Sequence, residues 1–290
     1  MIIGKVQLKQ LVQENIPQFY SQEEKDSLTT NFICGILEIS VTKYLIESEF
    51  ILSETQNINL KNALENLRKG KPLQYIFGTA SFFGREFLVT PDVLIPRPET
   101  EELCNWIIEE TKTISPKILD IGCGSGNIPI ILNLEISKAT VFAIDISKDA
   151  LLVAKENSKR NNAIVQFEQM DILNWKNKNV FSAHKFDIIV SNPPYILEQE
   201  KTMMRKNVLD FEPHLALFVK NNPMLFYQTI AEFAKEHLNK NGKLFFEINE
   251  AYFSNCKDIL EIIGYKNVEL RKDFGGKFRM IKGELFAPNF

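Results

Sequence analysis

Apolar positions fall into two regimes along the 290-residue chain. From about residue 5 to 70 they recur every three or four positions, as in Leu28, Phe32, Ile36 and Leu37, then Leu60, Ala63, Leu64 and Leu67. That period puts one apolar stripe on each of several helices. The stretch "SQEE" (Ser21 to Glu24) reads as a capping box, with Ser21 capping and Glu24 reaching back. Lys69-Gly70 reads as a C-terminal stop. Residues 1–71 are thus expected to form a small helical bundle. Over 72–98, "PLQYIFGTASFFGREFLVTPDVLIPRP", glycines and prolines break up short aromatic and β-branched runs, which predicts a hairpin linker. Pro98 then opens a helix with Leu103, Trp106 and Ile107 on one face.

From residue 116 the period changes. "KILDIG", "TVFAID", "VQFEQM", "FDIIVS" and "GKLFFEI" are short apolar runs of the kind found in strands buried on both faces. Helical stretches separate several of them, for instance Lys148 to Asn161 and Met224 to Leu238. The alternation predicts an α/β domain over 99–290, an open and mainly parallel sheet with helices on both sides.

Composition narrows the function. The chain is 44% hydrophobic and 24% charged with a formal net charge of −3, so it carries no general basic footprint for nucleic acid. Its four cysteines form no CxxC pair and its three histidines have no ligand spacing, so no metal site or disulfide framework is expected and a reducing cytosol is the natural compartment. No run of eighteen apolar residues is present, and the start "MIIGKVQLKQ" lacks the apolar stretch of a secretory signal. A cytosolic monomer is expected.

Candidate chemistry begins at "DIGCGSG" (Asp120 to Gly126), where the first strand hands over to a helix near Asn127. Glycines let the backbone approach a ligand, and the helix N-terminus offers free N–H groups. A dinucleotide fingerprint would need a third glycine at position 127, which is Asn127, and no Gly-Lys-Ser/Thr follows for a P-loop. The tighter pattern Gly122-Cys123-Gly124-Ser125-Gly126 resembles the glycine motif of S-adenosylmethionine-dependent methyltransferases. Asp145 ends "TVFAID" about twenty residues on, where an acid can accept both ribose hydroxyls; its plain alternative is a helix cap before Lys148. Asp171 in "QMDI" can accept from an adenine amino group, and Ile172 can cover the ring.

The stretch "SNPPY" (Ser191 to Tyr195) follows "FDIIV" without a spacer. Alone it could be a rigid turn that ends a strand. At the same sheet edge as the glycine loop it suits methylation of a planar nitrogen. Such a nitrogen is a poor nucleophile because its lone pair is delocalised. Asn192 can offer its side-chain oxygen to one N–H, and the Pro193 carbonyl can take the other. Pro194 stiffens the turn, and Tyr195 can stack on the flat group and exclude water.

These motifs together resemble the peptide chain release factor N5-glutamine methyltransferases, the HemK-like enzymes. "PLQYIFG", "FFG", "LIPRPETEEL", "DIGCGSG", "SNPPYI", "FEPHLAL" and "KDFGGKFRM" occur in the family's order. The resemblance implies a Rossmann-like, S-adenosylmethionine-dependent methyltransferase domain behind a small N-terminal helical domain that helps dock the substrate. It implies the glutamine amide of the Gly-Gly-Gln loop of release factors as acceptor; from the composition above, no membrane or direct nucleic-acid partner is expected. Carried over, Gly122 to Gly126 and Asp145 hold the cofactor, Asn192 to Tyr195 hold the glutamine, and Asn192 lies near both. The chain departs from the family pattern after "EPHLAL", where "FVKNNPML" stands, at "EIN" (Glu247 to Asn249) in place of E-I-G, and at Ile172, where an aromatic is sometimes found. Glutamine methylation of a ribosomal protein is the close alternative. N6-adenine DNA methylation and a non-catalytic binding module are more distant ones.

Overall fold

The computed structural model describes residues 2–177 and 180–286. The chain divides into two compact units, Met1–Thr79 with Met204–Phe211, and Ala80–Met203 with Glu212–Phe290. Residues 287–290, the end of the expected 99–290 domain, lie outside the described residues.

The first unit is built from the helices Lys5–Gln13, Gln22–Leu37, Val41–Ile46, Glu54–Arg68 and Leu73–Phe77. Leu8, Val12, Phe32, Ile33, Leu60 and Leu67 form the centre of its core. The box at Ser21 is closed in both directions: the Ser21 hydroxyl accepts from the Glu24 N–H at 3.3 Å and the Ser21 N–H donates to Glu24 Oε2 at 2.9 Å. A second box at Ser53 and Gln56 starts the helix that ends at Lys69-Gly70. Two things went unpredicted. Ile2–Gly4 and Glu49–Ile51 pair as a short antiparallel ribbon, three residues a side and too brief to show a period. Met204–Phe211 joins this unit from far along the chain, with Arg205 ion-paired to Glu24. Gly35 is needed for packing, since a Cβ there would stand 2.7 Å from the Phe77 ring.

Of residues 72–98, Thr79–Phe82 and Arg85–Leu88 form a hairpin, Leu73–Phe77 is a helical turn ahead of it, and Pro98 begins the helix Pro98–Glu110. The second unit holds a seven-stranded sheet, its strands numbered here along the chain: β1 Lys117–Ile121, β2 Thr140–Asp145, β3 Val165–Gln169, β4 Phe186–Ser191, β5 Leu238–Glu247, β6 Lys266–Lys272 and β7 Phe278–Leu285. Their spatial order is β6-β7-β5-β4-β1-β2-β3. The five strands from β5 to β3 run parallel, while β7 is antiparallel to both β5 and β6. This closing antiparallel pair was not read from the sequence, because β6 is polar and mostly exposed along its length. β3 is an edge strand whose exposed side chains contradict its reading as doubly buried.

Alternation along the strands feeds two cores, one per face. Leu119, Ile121, Ile189, Leu244 and Phe246 point into a core shared with Tyr227, Ile230 and Phe233 of the helix Leu225–His237. Ile118, Ile188, Val190 and Phe245 point the other way, against Leu103, Trp106 and Ile107 of the Pro98 helix and Ile130 and Ile131 of the helix Asn127–Glu135. Burying such a side chain stabilises the fold by roughly 1.5–3 kcal/mol, before conformational entropy is charged against it. Among the described residues no helix is long and apolar enough to cross a membrane.

Candidate active site

The strand order reverses beside β1: the chain moves outward through β2 and β3, then returns to place β4 on the other side. In such sheets the crevice at the carboxyl ends of the two central strands receives ligands. Ile121 pairs with Ser191, the last residues of β1 and β4, so Gly122 and Asn192 leave the sheet side by side. The buried Ser191 hydroxyl donates to the Ile121 carbonyl at 2.6 Å and ties the two strand ends together. Ser191 is therefore structural.

A cavity of about 360 Å³ opens at this edge, within the range of small-molecule sites. Gly122, Cys123, Gly124, Ser125 and Asp145 line it on one side, Asp171 and Ile172 on another. Asn192, Pro193 and Pro194 line it where the chain leaves β4. Gly126 and Tyr195 lie outside the wall. Gly126 instead caps the helix Asn127–Glu135 in a left-handed conformation, φ 80°, where a Cβ would stand 3.0 Å from the Ala154 Cβ. Tyr195 is half-buried, packed against the core beneath, and burial pushes its hydroxyl pKa above the usual range.

The glycine loop is held mainly by backbone bonds. The Gly122 and Cys123 N–H groups donate to the Ile144 carbonyl at 2.8 and 3.0 Å. Asp145 Oδ2 accepts from the Gly124 N–H and Oδ1 from the Ser147 N–H, both at 2.9 Å. Ser147, not Asp145, caps the next helix by accepting from the Ala150 N–H. Burial raises the Asp145 pKa, and these peptide donors oppose the shift. Buried Asn157, which sequence reasoning passed over, clamps the loop from behind: it donates to the Ser125 and Leu88 carbonyls, each at 2.9 Å, and accepts from the Leu88 N–H at 2.6 Å. Below the loop, Asp120 is fully buried with neither oxygen hydrogen-bonded. Burial first and the nearby Asp145 charge second push its pKa well up, and the Ile121 peptide opposes this without closing a bond. Asp171 accepts from the Leu173 N–H at 2.9 Å and from the Asn174 side chain, so it caps a 3₁₀ turn while facing the cavity.

The Asn192 part of the wall is held by side chains distant in sequence. Asn192 Nδ2 lies 3.5 Å from Thr100 Oγ1, the outer reach of a hydrogen bond. Thr100 in turn donates to Glu247 Oε2 at 2.6 Å. Thr100 and Glu247 are both buried, and burial raises the Glu247 pKa to about 7, with the Thr100 hydrogen bond pulling the other way. Arg97 pairs with buried Glu212 at 2.6 Å, joining "IPRPE" to "FEPHLAL". Ile196–Leu197, just after Tyr195, pairs in parallel with Phe218–Val219 from the divergent "FVKNNPML" stretch. Asn249, where the family pattern has glycine, caps a short 3₁₀ turn by accepting from the Ala251 N–H. Thr100, Glu212 and Glu247 sat in quoted motifs, but nothing in their spacing announces a polar chain across the sheet edge.

Residues 114–246 match a family model described as a methyltransferase domain. A methyltransferase structure from Pyrococcus furiosus superposes with a TM-score of 0.51 at 17% identity, covering 81% of this chain and all of that one (100%). The hMettl16 catalytic domain superposes with a TM-score of 0.56 at 14% identity, covering 81% of this chain and 84% of that one. At such identities these establish the fold alone. Full-length relatives are closer. The release factor glutamine methyltransferase of Bacteroides thetaiotaomicron is 41% identical over 93% of this chain and 96% of its own length. Its counterpart in Flavobacterium psychrophilum is 41% identical over 92% and 94%, and that of Bacillus subtilis 37% over 83% and 84%. With identity at this level along nearly its whole length, and with the glycine loop and Asn192 facing one cavity, the chain belongs to the release factor glutamine methyltransferase family.

Proposed function

We propose that this protein methylates the N5 amide nitrogen of the glutamine in the Gly-Gly-Gln loop of peptide chain release factors, using S-adenosylmethionine. The observation that carries this reading is Asn192 on the wall of the glycine-loop cavity, with its nitrogen tied back to Thr100.

The cavity fits that cofactor, which supplies a methyl group on a positively charged sulfonium. Asp145 and Asp171 face the space, and Arg97, the one cation among the described wall residues, is already paired with Glu212. Such a wall suits a cation better than a phosphate. A Cβ at Gly122 or Gly124 would stand in open space, so these glycines leave a shallow cradle. Gly122, Cys123, Gly124 and Ser125 would hold the methionine portion, Asp145 the ribose through its remaining lone pairs, and Asp171 with Ile172 the adenine. Gly126 serves by packing.

On the acceptor side, Asn192 Oδ1 and the Pro193 carbonyl take the two N–H bonds of the glutamine amide. They orient the nitrogen and favour its pyramidal form. Two proline rings restrict the backbone that presents them. Tyr195, packed behind the wall, keeps that turn in shape. An alkylated amide nitrogen is acidic enough to lose its proton to water, so no strong base is required. Orientation and preorganised dipoles supply most of the acceleration.

The test is to incubate the protein with isotope-labelled S-adenosylmethionine and, separately, a release factor, a ribosomal protein and DNA, then map the label by peptide mass spectrometry. One methyl on the Gly-Gly-Gln glutamine is expected. Label confined to the ribosomal protein or to DNA overturns the acceptor assignment.

A further inference from the structure

We propose that Thr100 and Glu247 are positioning residues that decide which end of the Asn192 amide faces the acceptor, a role that rests on the reading of Asn192 Oδ1 as the acceptor-facing oxygen.

The two ends of an asparagine amide are nearly the same size, so packing alone does not choose between them; hydrogen-bond partners do. The choice matters here, because an oxygen grips an N–H of the substrate whereas an NH₂ group would oppose it. A threonine hydroxyl carries a single hydrogen. Thr100 gives its hydrogen to Glu247 Oε2 at 2.6 Å, a short bond of the charge-assisted kind. With that hydrogen committed, Thr100 Oγ1 can only accept. It therefore selects Asn192 Nδ2, 3.5 Å away, and turns Oδ1 toward the cavity. The carboxylate thus sets a dipole two hydrogen bonds away. All three side chains come from different elements: Thr100 from the first turn of the Pro98 helix, Asn192 from the turn after β4, and Glu247 from the end of β5.

Protonating Glu247 reverses this logic. A neutral carboxyl can donate to Thr100 Oγ1, which frees the threonine hydrogen to bond Asn192 Oδ1 and lets the amide turn over. The ionisable groups acting on Glu247 and its neighbourhood are Arg97 and Glu99 ahead of and within the helix that carries Thr100, Cys104 in that helix, Tyr195, Tyr227 on the helix Leu225–His237, and Arg279 on β7. The two arginines favour the ionised carboxylate and Glu99 opposes it. Against burial this leaves the change of state near neutral pH, where both forms are populated.

Three variants and one spectrum test this. With a release factor as acceptor, Thr100→Val is expected to lower kcat by about 10²-fold, the loss typical of one oriented dipole, while cofactor Kd and acceptor KM stay nearly constant. Thr100→Ser keeps the hydroxyl and should restore most of the rate. Wild-type kcat should fall about tenfold per pH unit below about pH 7 as the carboxylate fraction falls. Glu247→Gln should lose that limb. A Thr100→Val enzyme with undiminished kcat, or an acid limb unchanged in Glu247→Gln, overturns the proposal. The side-chain amide resonances of Asn192 in the wild-type protein, assigned through Asn192→Ser, should shift with a midpoint near neutrality; resonances that stay flat overturn it as well. That spectrum needs no acceptor. A wild-type protein that leaves the release factor unmethylated therefore refutes the acceptor assignment, while the spectrum still decides the positioning role.

Discussion

The two walls of the cavity are built from different kinds of bond. On the glycine-loop side, peptide N–H groups meet the Ile144 carbonyl and Asp145, 21 residues from Gly124 at the end of the next strand, and Asn157 clamps the loop from behind. On the Asn192 side, Thr100 lies 92 residues from Asn192 and Glu247 lies 147 from Thr100. That wall exists only once helix, β4 and β5 have come together. The difference teaches where each wall is fragile. The loop, held largely through its own peptide groups, is most sensitive at Gly126, where the left-handed backbone and the neighbouring Ala154 leave no room for a Cβ. A wall held by a chain of side chains fails when any one of them loses a hydrogen bond.

Five substitutions sharpen that contrast. Asn192→Ala should cost the most, a fall in kcat of about 10³-fold, while calorimetry finds cofactor affinity within a few-fold of wild type. Preserved turnover would remove the amide from the mechanism. Gly126→Ala attacks the other wall. Its left-handed φ of 80° and the 3.0 Å approach to Ala154 predict a loss of about 2–4 kcal/mol in urea unfolding. Asp145→Ala should weaken cofactor binding by about 10- to 100-fold with little change in the single-turnover rate at saturation, because the loop N–H and the ribose both lose a carboxyl-oxygen partner.

Glu247→Gln probes stability. The carboxyl pKa is raised from 4.5 to about 7 in the folded chain, so the neutral form is favoured by folding. The group's stabilising contribution is complete below its unfolded pKa and is lost as pH rises through about 7. The glutamine variant should therefore be more stable than wild type above neutral pH, by up to about 3 kcal/mol in urea unfolding, and the gap should close on acidification. Asp171→Ala should matter least. Its oxygens already serve Leu173 and Asn174, so cofactor affinity should drop only a few-fold and stability by about 1 kcal/mol. A loss as large as that of Asp145→Ala would show that it grips the adenine.

Much of this was legible in the sequence, for identifiable reasons. Ser21 and Glu24 signal a helix start within four residues, and Gly122, Gly124 and Gly126 mark positive-φ positions that few other residues tolerate. The strand runs of β1, β2, β4 and β5 announce themselves because both faces are buried. Tyr195 was read as a stacking ring; it is half-buried and packs against the core, off the cavity lining. β6 was missed because a polar edge strand carries little apolar alternation.

By itself, then, the sequence determined the parallel sheet, the glycine turn and the amide-proline turn, because each rests on the conformational preferences of consecutive residues. Tertiary structure decided which carboxylates are buried, that Ser147 rather than Asp145 caps its helix, and that Thr100 and Glu247 stand behind Asn192. The physical reason is that burial and hydrogen-bond polarity belong to groups meeting across the sheet edge, and no single stretch of chain contains both partners.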